Sequence, residues 1–146
     1  MKFIIVMMLM ILSMSAVFAG SSLTVGVVNP TGTNITSIEY TVTQPGVGAV
    51  GTELALSYAG SFQSLKQSET NKRYGLGLGL YATKGIFTVD GGYGIYGQTA
   101  TGNINPGLYS GVKVNIVKNL YVEGKYTYVF NDKDTNGWQF GVGLKF

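Results

Sequence analysis

The sequence predicts an all-β protein, an eight-stranded antiparallel up-and-down β-barrel that spans a membrane. Three observations carry that prediction. Behind an apolar leader, apolar residues alternate with small or polar ones at the two-residue period of a pleated strand. Turn-forming clusters separate these segments at alternately short and long spacings. The composition is also wrong for a soluble surface, because only 12% of the 146 residues are charged while 22 are Gly and 12% are aromatic.

The leader consists of Lys2, an apolar run from Phe3 to Leu12, and a small-residue segment from Ser13 to Ala19 that sets Val17 and Ala19 for cleavage before Gly20. That is the layout of a secretory signal peptide. A retained membrane helix would need about 20 apolar residues, and this run is shorter and interrupted by Ser13 and Ser15. Residues 1–19 are therefore expected to be removed, leaving residues 20–146 as one barrel domain. All five Met lie in the leader, and the chain has no Cys or His. Disulfides, thiolate chemistry and imidazole chemistry are thus absent from the domain. A formal charge of +3, scattered along the chain, argues against a nucleic-acid partner.

The first strand, Leu23 to Val28, ends at the turn cluster Asn29 to Asn34. The second, about Ile35 to Thr43, sets Ile38, Tyr40 and Val42 against Glu39 and Thr41 and stops at Gln44-Pro45-Gly46. A third strand runs to about Phe62, with Leu54, Leu56, Tyr58 and Phe62 opposite Glu53, Ala55, Ser57 and Ser61, and the polar loop Gln63 to Lys72 follows. In the fourth, Tyr74 to Thr83, Tyr74, Leu76, Leu78 and Leu80 alternate with Gly75, Gly77 and Gly79 before a turn at Thr83-Lys84-Gly85. The fifth, Phe87 to about Gly97, opposes Phe87, Val89, Tyr93 and Ile95 to Thr88, Asp90, Gly92 and Gly94, and leads into the loop Gln98 to Pro106. The sixth, about Leu108 to Ile116, opposes Leu108, Val112, Val114 and Ile116 to Gly111, Lys113 and Asn115, with a tight turn at Val117-Lys118-Asn119.

The last two strands give the clearest pattern. Leu120, Val122, Tyr126, Tyr128 and Phe130 face one way and Glu123, Lys125 and Thr127 the other. After the polar run Asn131 to Asn136, Trp138, Phe140, Val142, Leu144 and Phe146 alternate with Gln139, Gly141, Gly143 and Lys145. In this terminal pair the chain resembles the small bacterial outer-membrane β-barrels of the OmpX, OmpA-domain and opacity-protein kind, whose last strand alternates aromatic and aliphatic residues and finishes on Phe. The resemblance implies a place in the outer membrane of a Gram-negative bacterium and contact with its lipid. It also implies an assembly signal, Phe140, Val142, Leu144 and Phe146, read by the barrel-assembly machinery. It does not by itself imply an activity.

Short connections around Pro45, Lys84 and Lys118 alternate with longer polar ones. Outer-membrane barrels keep short turns in the periplasm and longer loops outside. On that orientation Tyr58, Phe62, Tyr74, Tyr128, Phe130 and Trp138 fall near the outer ends of their strands and Tyr40, Phe87 and Phe146 near the inner ends, as two interfacial girdles.

Alternation alone does not say which face is outside. In a soluble barrel or sandwich of the lipocalin sort the apolar residues would form the core. The outer face would then carry Gly75, Gly77, Gly79, Gly92, Gly94, Gly111, Gly141 and Gly143 and few charges, which suits a narrow lumen better than a solvated surface. No fixed-period repeat supports a secreted amyloid-type array. The expected lumen holds Glu39, Glu53, Asp90, Lys113, Glu123, Lys125 and Lys145, four acids facing three bases. Charges so confined must pair, so a structural network is expected in preference to an acid/base pair or an ion path.

No cofactor is expected. The best-known enzymes among such barrels, lipid A acyl-modifying enzymes and omptin proteases, resemble one another in relying on His, so an enzyme is not expected here. Asp132, Asp134 and Asn136 match the first half of an EF-hand loop, but the twelfth position, a bidentate Glu in that pattern, is Gly143. A polar hairpin loop is the simpler reading. Asn34-Ile35-Thr36 fits a glycosylation sequon that a bacterial address makes coincidental, and the Gly75 series opens no helix and so makes no phosphate loop. The expected function is a barrel scaffold with a side-chain-filled lumen. It displays loops 63–72, 98–106 and 131–136 for structural or adhesive contact, with a host-surface or protein ligand as the possible partner. A narrow channel, or an outer-membrane lipid enzyme lacking His, is the alternative.

Overall fold

The computed structural model describes residues 20–29, 35–60, 73–98, 102–131 and 136–146. Eight strands follow one another: β1 (Gly20–Asn29), β2 (Ile35–Pro45), β3 (Val50–Gly60), β4 (Arg73–Lys84), β5 (Phe87–Gln98), β6 (Ile104–Val117), β7 (Leu120–Val129) and β8 (Gly137–Lys145). Each pairs antiparallel with its neighbour, and β8 pairs with β1, so the sheet closes into a barrel. Closure leaves no strand edge, which is the condition for placing a sheet in hydrocarbon. Strands of 9 to 14 residues match the ~9–11 tilted residues that cross a bilayer. Following the paired residues once round the barrel shifts the register by about ten residues, a stagger that requires tilted strands and a narrow interior.

The pleat puts apolar side chains outside. Leu78 (64% exposed), Leu80 (59%) and Phe140 (62%) stand on the outer wall, while Glu39, Glu53, Asp90, Lys113, Glu123 and Lys125 are each no more than 5% exposed. This is the inverse of a soluble barrel. An apolar wall of that extent needs a lipid-like environment, so the lipocalin-like alternative does not describe this chain.

Short turns join β2 to β3, β4 to β5 and β6 to β7 at the end that also holds Gly20 and Phe146. In the β4–β5 turn Gly85 takes φ 61°, a left-handed conformation that costs glycine little. The longer connections gather at the opposite end, hereafter the loop end.

Several boundaries differ from the sequence reading. β1 begins at Gly20 rather than Leu23, because residues 20–22 pair with 41–43 of β2. β6 begins at Ile104, so residues 104–106 extend the ladder with β5 instead of belonging to a loop. Pro106 is tolerated there because its missing N–H falls opposite Phe130, beyond the last β6–β7 register pair, Gly107 with Val129. Its carbonyl still accepts from the Phe130 N–H at 2.9 Å. Tyr58, Tyr74, Tyr128, Phe130 and Trp138 are exposed on the outer wall toward the loop end, and Phe87 and Phe146 at the other. Tyr40 is different: its partners Leu23 and Leu56 place it at mid-height, so it does not belong to a girdle. The leader 1–19, Phe62, Gln63 to Lys72, Asp132 and Asp134 lie outside the described residues.

Candidate functional site

The lumen is where the chain concentrates its chemistry. Inward positions alternate along every strand, and glycines recur at them: Gly75, Gly77 and Gly79 on β4, Gly92 and Gly94 on β5, and Gly141 and Gly143 on β8. Several of these glycines are sockets for tyrosine rings. A Cβ on Gly77 would come within 2.8 Å of the Tyr109 ring, and one on Gly79 would meet the Tyr109 hydroxyl. Tyr96 lies in the same way against Gly75 and Gly107, and Tyr121 against Gly143. Four inward tyrosines, Tyr96, Tyr109, Tyr121 and, against Gly51, Tyr81, therefore fill space that the glycines leave, an arrangement that pins register as well as volume.

Two groups of three charges occupy the middle of the barrel. Lys125 on β7 pairs with Glu39 on β2 and, at 3.1 Å, with Glu123 on its own strand. Lys113 on β6 pairs with Asp90 on β5 at 3.0 Å and stands 3.7 Å from Glu53 on β3. Each lysine lies between two carboxylates, because the pleat sends residues 123 and 125 inward together and the β5–β6 register sets Asp90 diagonally across from Lys113. The tyrosines tie these groups to the wall. The Tyr109 hydroxyl donates to Glu53 at 2.8 Å, and the Tyr109 ring lies under Lys125 at 5.0 Å. Thr24 donates to Glu123 at 3.0 Å and shares a 2.6 Å hydrogen bond with the Tyr121 hydroxyl. Thr41 donates to Glu39 at 3.4 Å. Charges excluded from water need such partners, and removing one partner of a buried pair costs several kcal/mol.

Lys145 stands apart from the carboxylates. At the end of the barrel near the termini its ammonium donates to Asn115 and lies 5.5 Å from the Tyr121 ring. The sequence reading set three bases against four acids, and the fourth base is Arg73. It opens β4 on the inward side and lines the loop-end cavity. Among the described residues the inward charges are then four acids, at 39, 53, 90 and 123, and four bases, at 73, 113, 125 and 145.

The remaining sequence candidates lie elsewhere. The Asn136 side-chain oxygen accepts from the Val129 N–H at 2.5 Å, closing the β7–β8 connection. Among the described residues no group of three His, Cys, Asp or Glu side chains is placed to hold a metal ion. Phe140, Val142, Leu144 and Phe146 all stand on the outer wall of β8 and its extension. The Phe146 N–H donates to the Ser21 carbonyl at 2.8 Å, carrying the β1–β8 seam one residue beyond the strand.

No family model and no curated protein sequence matches the chain. Solved structures do. A de novo designed transmembrane β-barrel aligns with TM-score 0.60 at 14% identity, over 88% of this chain and 97% of that one. The outer-membrane protein Ail of Yersinia pestis, in a phospholipid bilayer nanodisc, aligns with TM-score 0.57 at 17% identity, over 87% and 99%. Neisserial surface protein A aligns with TM-score 0.54 at 11% identity, over 86% and 93%. At these identities the likeness speaks for the fold. With its closed register and outward apolar wall, this chain has the fold of the transmembrane β-barrels.

Proposed function

We propose that this chain is a non-enzymatic surface barrel of the bacterial outer membrane, exported by the leader 1–19 and presenting its longer connections to the exterior. The observation that carries the reading is the pairing of a lipid-facing wall with a lumen plugged by its own ion groups and tyrosines. Such an interior holds a scaffold rigid and offers no wide path, which disfavours the channel. Loops 63–72 and 131–136, with the segment from Gln98 to Asn103, supply the contact surface for a host-surface or protein ligand. Two neighbours in keeping with this role are an attachment invasion locus protein and a surface protein. Assembly runs through the outer-membrane barrel machinery, with Phe140, Val142, Leu144 and Phe146 as the recognised strand.

The test joins two measurements on one preparation. Cells displaying the parent protein or a variant with loop 63–72 replaced by a Gly/Ser linker are scored for binding to host-cell surfaces, and the purified parent is placed in planar bilayers. Loss of binding in the loop variant, with no steady large-pore conductance from the parent, is the expected result. Binding that never exceeds barrel-free cells, together with steady conductance, would put the channel reading in its place.

A further inference from the structure

The three short turns each hold an aliphatic side chain in the open: Val47 (91% exposed) between β2 and β3, Ile86 (53%) between β4 and β5, and Val117 (60%), the last residue of β6. Two of these turns add an exposed lysine, Lys84 and Lys118. No Asp or Glu occurs in residues 40–52, 80–89 or 114–122, the three hairpin ends, nor in 20–24 and 140–146, the strand ends beside them. Neither lysine forms an ion pair with a described residue. The rim of the turn end is therefore cationic, while the carboxylates are enclosed in the waist.

Lys84 and Lys118 belong to one patch. Lys84 pairs with Phe87 across its hairpin, on the outer face. The Ile86 carbonyl accepts from the Asn115 N–H at 2.8 Å, which fastens that turn to the end of β6 that leads to Lys118. β4 and β6 are two strands apart in the sheet, a separation of about 10 Å, so the two ammonium groups can meet one headgroup or two neighbouring ones. Through Phe87, Ile116 and Phe146 the patch runs without a break into the lipid-facing wall. Water has no use for the aliphatic tips. At the boundary between acyl chains and headgroups, both residue types find partners: aliphatic groups and lysine stems lie along hydrocarbon, and the ammonium reaches a phosphate.

We infer that the turn end is a docking surface for anionic phospholipid headgroups, with Lys84 and Lys118 as the cationic contacts and Val47, Ile86 and Val117 setting the depth of the turns. With the longer connections outside, these are headgroups of the periplasmic leaflet. The inference rests on the outer-membrane reading and is independent of the adhesive role.

The chain has no Cys, so Asn119→Cys carries a single fluorophore beside Lys118. The labelled full barrel is reconstituted in phosphatidylcholine vesicles containing a small fraction of phosphatidylglycerol or phosphatidylcholine, each spin-labelled on the acyl chain near the headgroup. Heat-modifiable gel mobility is read first, and a chain that never inserts as a folded barrel defeats the membrane reading itself. In the inserted barrel, phosphatidylglycerol should be enriched at the fluorophore about fivefold over phosphatidylcholine, falling toward parity in 1 M NaCl. Lys84→Gln with Lys118→Gln should bring the two lipids to parity at low salt. Ile86→Ser with Val117→Ser should keep the preference but weaken quenching by both lipids, because the turns then stand farther from the acyl chains. Equal quenching by the two lipids in the inserted parent, or a preference that the double lysine variant keeps, overturns the site and leaves the lysines to solvent or to an acidic protein.

Discussion

The Tyr109 hydroxyl meets the Glu53 carboxylate at 2.8 Å, from a ring that lies in the space left by Gly77 and Gly79 on the strand between them in the lumen wall. One tyrosine thus couples the glycine stripe to the buried charges. A side chain added at either glycine must move the ring, and moving the ring strips a donor from Glu53.

Gly79→Val is accordingly expected to destabilise the barrel by about 1–3 kcal/mol through overpacking, with the lost Glu53 bond in addition. Tyr109→Phe keeps the ring and loses only the bond, so its cost is expected at about 1–2 kcal/mol. Urea unfolding in lipid vesicles, followed by tryptophan fluorescence of Trp138, measures both. Parent-like midpoints for the two variants would remove Tyr109 from the account.

Lys125→Met leaves Glu39 and Glu123 facing each other without the cation between them, and a loss of about 3–5 kcal/mol is expected. Glu123→Ala, which strands less charge because Glu39 still pairs with Lys125, should cost about 3 kcal/mol. The exposed Lys84→Ala should change stability by less than ~1 kcal/mol. The same unfolding series ranks the three. Equal midpoints for Lys125→Met and Lys84→Ala would mean that the ion groups do not hold the lumen.

Phe146→Ser is expected to lower the yield of folded barrel in cells more than Phe87→Ser, although both are outward aromatics at the same end of the barrel. The difference should disappear when the purified chains refold into detergent, where no machinery reads the last strand. Heat-modifiable gel mobility of membrane fractions and of refolded protein reports both yields, and a deficit that persists on refolding would make Phe146 a stability residue instead.

Cleavage before Gly20 is expected to yield a mature chain that starts at the first residue of β1. Intact-mass measurement of the membrane-extracted protein checks this. A mass that still includes the five Met of the leader would contradict export by a cleaved signal peptide.

The strand count, the closure and the side of the pleat on which Glu39, Glu53, Asp90, Lys113, Glu123 and Lys125 stand were legible because a two-residue period writes itself directly into the sequence. What was not legible depends on contacts between strands. Tyr96, Tyr109 and Tyr121 are of the same type as the girdle aromatics, and only the register that sets Tyr109 against Gly77 shows that they face inward. A run of lumen glycines beside strands carrying an out-of-phase tyrosine is the signal that would have found them. Arg73 was missed because it adjoins a polar loop, where a cation is unremarked until its strand is known to begin with it. Residues 104–106 read as loop because Pro106 is a turn residue in most settings, and only its position past the last β6–β7 pair lets a strand keep it.

The order of the inward charges along the barrel axis has its own result. Arg73 stands at one mouth and Lys145 at the other, and between them lies a waist in which two lysines are outnumbered by four carboxylates. On this order a cation travelling the axis should be opposed at the Lys145 mouth, and an anion should be opposed at the waist. The interior is therefore expected to oppose the passage of ions of both signs, even if thermal motion of the side chains opened a path wide enough for water.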